Sequence, residues 1–163
     1  MLYITHDIDW LSPLHPYAMV KAMVYGKKWI KPNQLFNPDL FYEQMEKLHQ
    51  TNTELMLDAI WLIGATQTST FKKYGLRYNI HSKSYKRTIQ FLLQQQVKIG
   101  LHSVALEPVS KQCNTLSQLI YQHIPYHRSH YLKFTPEKLF PALQPNHIKI
   151  DFSLGHARKV FLP

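Results

Sequence analysis

Strand-like and helix-like segments alternate along this chain, and that order restricts the fold more than any other feature. LYIT (2–5) reads as a buried strand, VKIGLHSV (97–104) as a later one, IPYHRSHYLKF (124–134) as extended and HIKIDFSLG (147–155) as the last. Between the first two lies ELMLDAIWLIG (54–64). It is apolar enough for a buried strand and long enough for a helix, two readings that periodicity does not separate. NPDLFYEQMEKLHQ (37–50) reads as a helix, with Asn37 as cap, Pro38 in the first turn and Leu40, Phe41, Met45 and Leu48 on one face. SKSYKRTIQFLLQQQ (82–96) and NTLSQLIYQH (114–123) are the next helices. TPEKLFPALQ (135–144) is the last, with Thr135 as cap, Pro136 at the first helical position and Glu137 in the first turn. Residues 11–36, with Pro13, Pro16 and Pro32, read as a long loop after the first strand.

Such an order predicts parallel βαβ units, and in those folds chemistry gathers at the C-terminal edge of the sheet. The first strand runs into His6, Asp7 and Asp9, and the third into His102 and Ser103. The fourth carries His127, Arg128, His130 and Tyr131, and the fifth reaches Asp151 and Ser153. Singly, an Asp closing a strand is a turn former and a lone His is a satisfied core residue. Four such clusters on one edge point to a shared site.

The bulk properties narrow the class. With 163 residues, 45% of them hydrophobic, the chain suffices for one domain spanning 1–163. No apolar run reaches the roughly 18 residues of a membrane span, and no signal peptide stands at the N-terminus, so the expected address is the cytoplasm. One cysteine, Cys113, excludes an internal disulfide and a cysteine-rich zinc site. The net charge of +9, with ten histidines uncounted, favours anionic partners. Its lysines and arginines are dispersed and carry no helix-turn-helix, zinc-finger or ribonucleoprotein motif, which makes nucleic-acid binding the weakest of the readings.

Asp and His together suit a divalent metal such as zinc, cobalt or nickel. A bound ion brings its water to a pKa of about 7, and a second carboxylate can take the proton. An arginine beside that carboxylate would keep it ionised and oriented. No Ser-His-Asp elbow is present, and five glycines leave little for a phosphate-cradling loop. Trp10 and Trp29 are of a type that stacks on sugar rings but more often lines cores.

THDID, IGLHS, RSHYLKF and DFSLG, in this order and spacing, resemble the successive motifs of the polysaccharide deacetylases, the NodB-homology group or carbohydrate esterase family 4. The run FKKYGLRYNIHSKSYKRTIQFLLQQQVKIGLHS is also similar to a divergent bacterial branch of that group, so the resemblance covers nearly the whole chain. It implies a distorted (β/α) barrel with a metal at its C-terminal face; with the segments read above, the expected fold is a distorted or incomplete barrel of about five parallel strands. The implied activity removes N- or O-acetyl groups from a glycan or a cell-envelope polysaccharide precursor. By motif, Asp7 would be the general base, Asp9 and His102 metal ligands, and Arg128 the residue holding the base. Tyr131 would offer its main-chain N–H to the oxyanion, and Asp151 would line the groove and tune the acid.

The sequence departs from that pattern in three places. Leu106 stands where a second ligand histidine belongs, which leaves His6 and His130 as candidates for the missing nitrogen. No final Leu-x-His motif precedes the closing VFLP. Five strands are also fewer than a closed barrel needs. Either an open barrel is completed by a partner, homo-oligomerising through its exposed edge, or the chain is the N-terminal, truncated part of a longer domain. Beside the deacetylase reading stand a catalytically impaired remnant that binds glycan or serves as a scaffold, and a basic nucleic-acid-binding protein.

Overall fold

A computed structural model describes residues 3–8, 39–66, 79–104, 108–130 and 136–153. Among the described residues five strands and four helices alternate: β1 (Tyr3–Asp7), α1 (Leu40–Glu54), β2 (Asp58–Ile63), α2 (Lys83–Gln94), β3 (Lys98–Ser103), α3 (Val109–Ile120), β4 (Tyr126–Ser129), α4 (Pro136–Leu143) and β5 (Ile150–Asp151). A 3-10 turn, Gln144–Asn146, follows α4. The strands form one parallel sheet in the order β1-β2-β3-β4-β5. Crossovers between parallel strands are right-handed, so strands added in simple sequence carry their helices on one face. The core bears this out: Trp61, Ile63, Ile99 and Leu101 from the sheet cluster with Met45, Tyr85, Ile89, Leu92, Leu116 and Ile120 from the helices. Ile60 and Leu62, on the alternate face of β2, are wholly buried outside that cluster.

The sheet curls into a half-barrel. Laid flat, β1 and β5 would stand about 19 Å apart at the usual strand spacing. Instead the rings of Tyr3, on β1, and Phe152, just past β5, lie 5.9 Å apart edge to face. Gly100 sits at a close approach on the concave face. A Cβ there would stand 2.6 Å from Leu62 Cδ2 and 2.8 Å from Tyr126 Cβ, so no side chain fits.

Several boundaries differ from those the sequence suggests. The ambiguous segment 54–64 divides: Glu54 ends α1, and the strand starts at Asp58. The first helix starts at Leu40 after Asp39, whose side chain makes no cap bond; Asn37 and Pro38 lie outside the described residues, as does Thr135. α3 begins at Val109, five residues before the expected start, because Pro108 already has a fixed φ suited to leading a helix. Ser82 caps α2, its Oγ accepting from the Tyr85 N–H at 3.2 Å.

Every helix-to-strand junction turns the same way. Met56, Gln96, Tyr121 and His147 all adopt left-handed φ near +53°. Around three of them run the paired bonds of a Schellman motif: Leu57 N–H to Asn52 C=O with Met56 N–H to Thr53 C=O, Val97 to Leu92 with Gln96 to Leu93, and Ile148 to Leu143 with His147 to Gln144. At Tyr121 the outer bond, Gln122 N–H to Ser117 C=O, is present. Glycine usually takes this position, and its absence here hides the repeat from sequence inspection.

Candidate active site

All five strands point the same way, so the ionisable strand ends share one edge, as the sequence suggests. Strand alternation then divides them between two faces. Thr5 and Asp7 of β1, His102 of β3 and Arg128 of β4 face the concave side, and His130 joins them just past β4. His6, Ser103, His127 and Asp151 face the helices.

On the concave side Arg128 spans the inside of the curl. Its Nη1 donates to Thr5 Oγ1 at 3.0 Å and lies 3.3 Å from Asp7 Oδ2 and 3.4 Å from Asp7 Oδ1. β1 and β4 are separated by two strands, about 14 Å along a flat sheet, which is beyond the reach of an arginine. The curl therefore makes this ion pair, and the pair fixes where the Asp7 carboxylate stands.

His102, 2% exposed, sits beside Arg128 in register. Its Nδ1 is 3.1 Å from the main-chain oxygen of Arg128. A carbonyl only accepts, so Nδ1 carries the proton and Nε2 holds the lone pair in the neutral ring. This is the arrangement that metal-ligating histidines adopt, with the second nitrogen tied to a carbonyl. Nε2 faces His130 Nδ1 at 2.9 Å. Two imidazole nitrogens on a tetrahedral zinc ion stand about 3.3 Å apart at bond lengths of about 2.0–2.1 Å, so this pair would have to open by only about 0.4 Å. The donor chemistry thus fits a divalent cation on His102 and His130. Among the described residues no third His, Cys, Asp or Glu joins them. Asp9, the expected carboxylate ligand, Tyr131 and Leu106 lie outside the described residues, as do Trp10, Trp29 and the segment 11–36.

Two expected site residues are elsewhere. His6 lies on the helix side, its ring 4.6 Å from that of Trp61 and its Nε2 bonded to Asn52 Nδ2 at 2.8 Å. It is one residue from Asp7, and in a strand one residue reverses the face. Burial lowers its pKa, against the raising effects of the Asn52 bond and the Asp7 charge. Asp151 is likewise turned away from the concave groove. Its Oδ1 accepts from His127 Nδ1 and from Ser153 Oγ, both at 2.7 Å. Burial pushes the carboxyl pKa up, but the bonds from His127 and Ser153 outweigh it and hold the group below its ordinary value.

Thr5 escapes sequence reading, while for Ser103, His127, Asp151 and Ser153 the edge is legible but not the face they occupy. Thr5 is an ordinary strand residue until a curl brings Arg128 to it. His127 is separated from Arg128 only by the pleat.

Comparison with models of known protein families, with curated proteins and with solved structures finds no match. No helix among the described residues is long and apolar enough to cross a membrane.

Proposed function

We propose that the chain is a metal-dependent hydrolase of the polysaccharide deacetylase kind, removing acetyl groups from a glycan or a cell-envelope polysaccharide precursor. One observation carries the reading. An arginine-held carboxylate and a pair of facing imidazoles, one with its second nitrogen tied to a carbonyl, share the concave face at the C-terminal end of a curled parallel sheet.

In this reading Asp7 takes the proton from the attacking water, and Arg128 with Thr5 keeps its carboxylate in place. His102 and His130 hold the divalent ion, with Asp9 completing the set; zinc suits these donors best, and cobalt or nickel would also bind. His130, just past β4, then supplies the nitrogen that Leu106 lacks. When bound, the ion acts as a Lewis acid toward the acyl oxygen and lowers the pKa of its water to about 7. Tyr131 contributes its main-chain N–H to the developing oxyanion.

Calorimetry of zinc, cobalt and nickel binding to the metal-stripped chain, followed by acetate release from acetylated chitin oligosaccharides, tests the proposal. One-to-one binding at micromolar level or tighter is expected. It should be lost in Asp9→Ala and His102→Ala, weakened in His130→Ala and untouched in His6→Gln. Binding that ignores the first three substitutions, or none at all, would leave the chain as a non-catalytic remnant of that fold.

A further inference from the structure

On the helix side of the sheet, directly behind the candidate site, a second polar chain crosses three strands. Ser103 Oγ on β3 stands 2.7 Å from His127 Nε2 on β4, and His127 Nδ1 stands 2.7 Å from Asp151 Oδ1 on β5. Ser153 Oγ donates to the same carboxylate oxygen at 2.7 Å and accepts the Ser129 N–H at 2.8 Å. A carboxylate only accepts, so His127 Nδ1 carries the proton, and Nε2 of the neutral ring accepts from the Ser103 hydroxyl. The connectivity is that of a nucleophilic Ser-His-Asp triad, but access rules that role out. His127 is wholly buried and Ser103 is 5% exposed beneath the helices, so no acyl carbon reaches Oγ.

We propose instead that Ser103, His127 and Asp151 are positioning residues for the site on the opposite face. The main-chain ladder between β3 and β4 ends at Ser103 and Ser129, and that between β4 and β5 at His127 and Asp151. At those last rungs a sheet edge is free to fray, and there the chain ties all three strands together. Ser103 is tied to His127 through a neutral hydrogen bond, and His127 and Ser153 to the ionised Asp151 through bonds of the stronger kind. On β3 and β4 each tied residue is the sequence neighbour of a site residue. Ser103 follows His102, and His127 precedes Arg128, whose carbonyl receives the His102 Nδ1 proton. His130 follows Ser129, whose N–H is held by Ser153. Fixing the helix-side residue of each rung fixes the backbone from which the concave-side residue projects.

The proposal rests on the metal-site reading only for its effect on cation binding, so the test has two arms. Ser103→Ala removes the link between β3 and β4 with little change in volume, and Ser103→Thr restores a hydroxyl. Thr88→Ala, which deletes the buried Thr88 hydroxyl bond to Ser84 C=O on α2, controls for general loosening. In the metal-free chain, Ser103→Ala should shift the imidazole nitrogen resonances of His102 and His130, while Ser103→Thr and Thr88→Ala leave them in place. In the second arm, Ser103→Ala should weaken cobalt binding on the order of tenfold, as loss of an outer-shell partner does. If the unaltered chain binds no cobalt, the metal-site reading falls and the resonances alone decide. Unchanged His102 and His130 signals in Ser103→Ala would overturn the positioning role whatever the metal result.

Discussion

Arg128 on β4 and Asp7 on β1 face each other across the inside of the curled sheet, Nη1 standing 3.3 Å from Oδ2 with two strands between them. Neighbouring strands would give such a contact by register alone. This one exists only because the sheet bends far enough to bring its first and fourth strands within one side chain's length. The curvature of the fold and the geometry of the site are therefore a single property, and whatever flattens the sheet separates Asp7 from Arg128.

Gly100 is the place to test that coupling. A methyl group there would meet Leu62 and Tyr126 on the concave face at 2.6 and 2.8 Å. Gly100→Ala should cost about 1–3 kcal/mol through overpacking, read from the urea midpoint. The strain can be relieved by spreading β2 and β4, which moves Arg128 away from Asp7, so acetate release should fall further than the lost stability explains. A variant as stable as the unaltered chain would mean that Leu62 and Tyr126 yield easily and that Gly100 does not govern the curl.

Arg128→Lys separates the role of the ion pair in positioning from its role in stability. Both partners are about a quarter exposed, and a pair of that kind contributes only about 0–1 kcal/mol. Lysine keeps the charge but lacks the planar guanidinium whose Nη1 reaches Thr5 and Asp7 together. Denaturation should thus move by less than about 1 kcal/mol, while acetate release drops on the order of a hundredfold from a misplaced base. Equal losses in both measurements would make Arg128 a structural residue.

The alternation of elements was legible in the sequence because apolar segments and helix-like segments follow one another; the helix expected from Ser82 begins directly after it, and Pro136 is the first helical position, as expected. Parallel order then placed the ionisable clusters at one edge. What stayed hidden was the face. His6 and Asp7, or His127 and Arg128, are neighbours in sequence and opposites in space, so assigning them requires the strand register to a single residue. The curl was also hidden, since the close approach of Leu62 and Tyr126 to Gly100 comes from other strands. So was the shared helix ending, because Met56, Gln96, Tyr121 and His147 give no glycine signal.

Those endings predict an easy gain in stability. Met56 holds a left-handed φ of 52° with its side chain 94% exposed, so it bears backbone strain without burying anything in return. Met56→Gly should raise stability by about 0.5–1 kcal/mol, the relief of strain exceeding the greater flexibility of glycine in the unfolded chain. Chemical denaturation measures it directly. A loss of stability would show that Met56 packs in solution in a way its exposure denies.

The dependence of stability on pH should have two acid-side steps, one from each displaced histidine or carboxylate. Burial lowers the pKa of His6 from 6.5, so on acidification the unfolded chain takes up this proton before the native one. Stability from His6 is complete above about pH 6.5 and declines as pH falls below it. Asp151 is shifted down from 3.8, because the bonds from His127 and Ser153 overcome the opposing effect of burial. Here too the unfolded state protonates first, so that contribution is complete above about pH 3.8 and is lost as pH falls through the lower native value. Urea midpoints recorded from about pH 8 to about pH 3 should show both declines. Because the chain has ten histidines, the comparison with His6→Gln isolates the upper step, and Asp151→Asn isolates the lower. A difference curve for His6→Gln that is flat through pH 6.5 would place that imidazole in solvent rather than between Trp61 and Asn52. A flat curve for Asp151→Asn below pH 4 would mean that the chain from Ser103 to Asp151 does not hold the carboxylate ionised in the folded protein.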